Sequence, residues 1–133
     1  MNLLREYIRE MLTEQDQSLE HVVNQFREEM EAKYDWKNTK GCFGGQCWKM
    51  TTPLVQRLNQ AGISATEKEG MYYGASDEYV LIEPENYGDG EYPHWWVETD
   101  ANIIDVTADQ FHPGREDQYR VIITDKMDPD YSP

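Results

Sequence analysis

His94-Trp95-Trp96-Val97-Glu98, the short link Thr99-Asp100-Ala101, then Asn102-Ile103-Ile104-Asp105-Val106-Thr107: this stretch decides how the chain is read. Both runs are rich in β-branched and aromatic residues and a turn separates them, the signature of a hairpin. Pairing Glu98 with Ile103 sets Trp96 opposite Asp105 and His94 opposite Thr107. Side chains alternate between faces along a strand, so His94, Trp96, Asp105 and Thr107 share one face. Trp95, Val97, Ile104 and Val106 fill the other, which reads as core, with Trp96 as a pocket wall. His94 and Asp105 become diagonal neighbours, about 7–8 Å apart by backbone and closer at their tips. A slip of one residue would send them to opposite faces.

A carboxylate behind an imidazole fixes its tautomer and stabilises its charged form. Upstream, Gly44-Gly45-Gln46-Cys47-Trp48 runs from glycines into what reads as a helix start. A free thiol ionises only near a pKa of about 8.5, and a helix N-terminus or an adjacent imidazolium favours the nucleophilic thiolate. Cys47, His94 and Asp105 thus supply nucleophile, base and orienting acid, in that order.

Residues 41–111 resemble the transglutaminase-like branch of the papain-fold superfamily. In that family a Gly-x-Cys opens a helix that closes in an Ala/Leu-Gly-Ile turn, followed by a strand ending on glycine. Gly45-Gln46-Cys47, Ala61-Gly62-Ile63 and Gly70 match in order. The family's His-Ala-Trp-Val-Glu and Asp-Pro-Thr strands are similar to His94–Glu98 and to Asp105-Val106-Thr107. The resemblance implies a papain-like core and acyl transfer through a Cys47-His94-Asp105 triad. Gly-Gly-x-Cys also resembles the arylamine N-acetyltransferases, and Gly-x-Cys-Trp papain, both far longer chains. Three features depart from the pattern: the interval from His94 to Asp105, eleven residues, is a few short of the usual hairpin, Val106 replaces the proline after the acid, and Pro53 falls inside the expected helix. Either that helix kinks, or the main helix begins at Thr52-Pro53, which suits proline at a first helical position. An oxyanion would rest on the Cys47 backbone N–H and one side-chain donor, Gln46 or Trp36, with Gln110 a further candidate. Trp48 and Trp96 are candidate pocket residues.

At 133 residues the chain reads as one domain: a leader helix in 1–15, a papain-like core in 16–124 and a polar tail in 125–133, expected to be frayed. Its net charge is −14 and its mean hydropathy −0.86. That charge argues against binding nucleic-acid phosphates or anionic membranes. Six acids and no Lys or Arg lie between Glu83 and Asp100; they read as a solvated surface or as steering for a basic peptide or amine substrate. No apolar run approaches the ~20 residues of a membrane span, and nothing resembles a secretory leader, so a cytoplasmic setting is expected. There the Cys42/Cys47 pair is expected reduced. Cys42-x4-Cys47 lacks a His pair for zinc, and Asn86–Glu91 lacks the full calcium pattern. No metal or cofactor is expected.

Leu3, Leu4, Tyr7, Ile8, Met11 and Leu12 form a helical stripe in residues 2–14. This leader either packs on the core or detaches to dock a partner. Its Leu-Arg-Glu-Tyr-Ile-Arg-Glu resembles a leader on many marine bacteriophage proteins, which implies a viral origin and a place in the infected cell or virion. A second helix is expected over 19–34, with Leu19, Val22, Val23, Phe26 and Met30 inward. Strands are expected at Ser64–Glu69, Glu78–Glu83 and Tyr119–Thr124, with Pro84–Pro93 a rim or lid. His21 and His112 read as surface histidines. The expected fold is therefore α+β, N-terminal helices with an antiparallel sheet. Cysteine-dependent acyl transfer on an amide or ester is the expected activity. The alternative is a catalytically silent papain-fold module that binds partners through its leader and acidic loop.

Overall fold

The computed structural model describes residues 19–33, 47–82 and 91–133. The leader helix, Trp36, Cys42, Gln46 and all but the last three residues of the Pro84–Pro93 loop lie outside the described residues. The fold is α+β. Helix α1 covers residues 19–33 and α2 Cys47–Gln60; β1 is Thr66–Tyr72, α3 Asp77–Ile82, β2 Tyr92–Glu98, β3 Asn102–Asp105, β4 Ile122–Asp125 and β5 Tyr131–Ser132. The five strands form one sheet in the order β4-β3-β2-β1-β5, antiparallel at every pairing.

The hairpin register is the expected one. Val97 pairs with Ile104 and Glu98 with Ile103, and Asn102 N–H closes the turn on Thr99 Oγ1 at 3.1 Å. Alternation then splits the core in two. On one face Val97, Ile104 and Val106 pack with Met50, Leu54 and Leu58 of α2 and Val23 and Phe26 of α1. Each fully buried aliphatic side chain there contributes roughly 1.5–3 kcal/mol. On the other face Trp96 and Ile103 pack with Tyr72, Tyr92, Ala108, Phe111 and Tyr131. Trp96 is buried, and Trp95, expected in the core, is only half-buried.

Helix α1 buries the expected stripe, and with it Arg27, which repeats the Val23 position one turn later. Its guanidinium donates to Asp109 Oδ2 at 2.6 Å, to Glu31 Oε1 at 2.8 Å and to the Val106 carbonyl. Charge-assisted bonds of this kind offset the cost of burying the ion. Helix α2 is a single helix from Cys47 with Pro53 inside it, so the main helix does not start at Thr52. Thr51 and Thr52 both donate to Glu67 on β1. Gly62, at φ +84°, ends the helix: Ile63 N–H reaches the Leu58 carbonyl at 2.9 Å and Gly62 N–H the Asn59 carbonyl at 3.0 Å, a left-handed glycine stop.

Three expectations about the elements fail. Residues 78–83 were expected as a strand, but Asp77–Ile82 is helix α3. Ser76 Oγ caps it by accepting Tyr79 N–H at 3.2 Å, and Asp77 and Glu78 sit where the helix dipole favours acids. Tyr79 and Val80 turn inward while Leu81 is 82% exposed, a helical division of faces. The last long strand begins at Ile122 rather than Tyr119, because Glu116–Gln118 closes into a 3-10 turn. The tail is not frayed: Tyr131 pairs with Tyr72 and Ser132 with Met71.

Candidate active site

The hairpin delivers His94 and Asp105 to each other. His94 Nε2 donates to Asp105 Oδ2 at 2.8 Å, and both side chains are buried. Asp105 ends β3, where Thr107 N–H turns back onto its Oδ1 at 3.0 Å. Tyr131 of β5 donates its hydroxyl to Oδ2 at 2.8 Å. Burial alone would raise the Asp105 carboxyl. The His94 charge, together with hydrogen bonds from His94, Thr107 and Tyr131, outweighs burial and holds it below its ordinary value. An ionised carboxylate only accepts hydrogen bonds, so Nε2 carries the proton and Nδ1 is the basic nitrogen of the neutral ring.

The ring sits in an aromatic box. Phe111 meets it edge-on at 5.0 Å, Tyr72 at 5.6 Å and Trp96 at 6.2 Å between centroids. Trp96 Nε1 is buried with no hydrogen-bond partner among the described residues. Gln110 lies in the 3-10 turn Ala108–Phe111 and donates Nε2 to the Thr107 carbonyl at 2.9 Å, so this amide braces the turn. A cleft of about 380 Å3 is lined among others by Tyr72, Tyr119, Ile122, Asp128, Asp130 and Tyr131, and neither His94 nor Asp105 lines it.

Cys47 is the first residue of α2, and the first turn holds no acid that would oppose a thiolate. The side chains of Cys47 and Trp48 lie outside the described residues. The body of α2 packs on the face carrying Val97 and Ile104, opposite the face of His94 and Asp105. The described residues therefore bring His94 and Asp105 together on one face of the sheet, with the body of α2 on the other.

Several residues here escaped the sequence reading. His112, expected on the surface, is buried: its Nε2 lies 2.8 Å from Tyr72 Oη and its ring stacks on Tyr119 at 3.4 Å. Burial lowers its pKa to about 4. Burial also pushes Asp109 up, to about 7, against the pull of Arg27. Arg27 was findable, because it continues the stripe of Val23 and Phe26. Tyr131 was not, since a two-residue strand has no periodicity to read. Among the described residues no cluster of His, Cys, Asp and Glu fits a metal ion, and no helix is long and apolar enough to cross a membrane. Comparison with known proteins gave no match: no family model fits the chain, and no curated protein or solved structure matches it.

Proposed function

We propose that the chain is a cysteine-dependent acyl-transfer enzyme with a papain-related, transglutaminase-like core. The single observation that carries this reading is the buried 2.8 Å contact between His94 Nε2 and Asp105 Oδ2, reached through the register that the hairpin sequence dictates. Nδ1 of His94 accepts the Cys47 thiol proton. The thiolate attacks the carbonyl carbon of an amide or ester, and the C=O electron pair moves onto oxygen. The oxyanion rests on the Cys47 N–H and a donor from Gln46 or Trp36. As the tetrahedral centre collapses, the bond to the leaving group breaks and His94 returns the proton to the departing amine or alcohol. The thioester is then resolved by water or an amine. The acidic surface suits a basic peptide or a small amine as substrate.

The test needs no substrate. Cys47 should alkylate with iodoacetamide well below pH 8 and far faster than Cys42, read by peptide mass spectrometry. Equal rates for both thiols, rising only near a pH of about 8.5, would remove the thiolate from the account.

A catalytically silent papain-fold module, binding partners through its leader and acidic loop, has its own support. His94 is fully buried, and the body of α2 lies across the sheet from it. In that reading the His94–Asp105 pair is a satisfied core contact, and the same labelling experiment returns two ordinary thiols.

A further inference from the structure

The C-terminal strand lies beside β1 at the edge of the sheet, and its Tyr131 side chain reaches the His94–Asp105 pair. Tyr73 N–H donates to the Asp130 carbonyl at 2.8 Å, Tyr131 pairs with Tyr72, and Asp130 N–H is held by Asp128 Oδ1 at 2.9 Å. Gly70 leaves room for the segment, since a Cβ there would fall within 2.7 Å of Pro133 Cα. The result is a phenol, 6% exposed, whose hydroxyl reaches the same carboxylate oxygen that His94 uses.

We propose that Tyr131 is a positioning residue for His94: by sharing Asp105 Oδ2, the C-terminal strand sets both the direction and the strength of the carboxylate's hold on the imidazole. Two donors on one oxygen fix where that oxygen lies and divide its charge between them. The carboxylate cannot swing away from the ring without breaking a buried bond on the far side. Burial, with Asp105 and Tyr72 nearby, pushes the Tyr131 phenol up, so it remains a neutral donor throughout the working range. The other groups facing the pair are Tyr72 from β1 and Asp109 and His112 from the segment after β3, with Asp128 acting on Tyr131 from the turn before β5.

The catalytic meaning of this inference rests on the acyl-transfer reading, but its test does not. In the full chain, Tyr131→Phe removes the competing donor and leaves more of the carboxylate's charge for the imidazolium. The His94 ring, followed by nitrogen-15 NMR, should then titrate about one pH unit higher, a tenfold gain in proton affinity, as expected for the loss of one buried bond to a charged acceptor. Difluorotyrosine placed at position 131 keeps the ring and strengthens the donor, and should move the titration the opposite way. It also keeps the test open if the Phe variant fails to fold. A His94 titration that is the same in parent and folded variants overturns the proposal and leaves Tyr131 as packing alone. An unreactive Cys47 defeats the acyl-transfer reading but leaves this ring titration readable.

Discussion

The Tyr92–Asp105 hairpin and the C-terminal segment after β4 meet at one carboxylate, yet they carry their information in opposite ways. The hairpin announces itself. Alternation over two adjoining runs states which residues face the core, which face the site and in what register. The C-terminal segment contributes a single phenol to the same atom, from 26 residues further along the chain. Its strand is two residues long, Tyr131–Ser132, and its place comes from pairing with Met71 and Tyr72. Local pattern builds the pair, and long-range pairing braces it.

The largest effect is expected on the hairpin side. Asp105→Asn removes the charge that stabilises the imidazolium and offers His94 Nε2 an amide that can turn a donor toward it. The fold should persist while the alkylation rate of Cys47 at neutral pH, or turnover once a substrate is known, falls by about two to four orders of magnitude. An unchanged rate in the folded variant would detach Asp105 from the chemistry.

Next in size is the packing difference between the two regions. Ile104 is fully buried against α2, so Ile104→Ala should cost about 2–5 kcal/mol. Ser132, exposed on β5, holds its place through backbone pairing, and Ser132→Ala should stay within about 0.5 kcal/mol. Denaturant melts of both variants decide it. Comparable losses would mean that the C-terminal strand is a packing element and not a brace.

The smallest effect concerns His112, which joins the two regions through Tyr72. Its ordinary value of 6.5 falls to about 4 in the fold. Between those limits the unfolded chain takes up a proton that the folded ring refuses, so stability drops as pH falls through that window. Asp109, raised to about 7, acts with the opposite sign over an overlapping range. The difference between His112→Gln and the parent isolates the histidine: the variant should show a shallower decline in melting midpoint below pH 6.5. Parallel declines would refute the buried neutral ring.

What could be read from the sequence follows the same division. The antiparallel register, the inward stripe of α1 and the meeting of His94 with Asp105 are all periodic, and all were legible. Helix α3 was misread because Tyr79-Val80-Leu81-Ile82 looks like strand. The decisive signal was the cap, Ser76 followed by two acids, which outweighs composition in a six-residue helix. The α+β class needed only the pattern of elements. The aromatic box drew on Tyr72, Trp96 and Phe111 from three separate segments, and nothing in any one of them advertised the others.

The central claim is that the Cys47 sulfur and the His94 ring work on the same carbonyl. Dibromoacetone, whose two reactive carbons flank one carbonyl, can bridge a sulfur and a ring nitrogen only when both lie within reach of one small molecule. After treatment of the folded chain near neutral pH, peptide mapping should recover the Cys47 and His94 peptides joined, and Asp105→Asn should suppress the bridge. Recovery of Cys47 alkylated alone, with His94 untouched in the native protein, would contradict the account and favour the silent module.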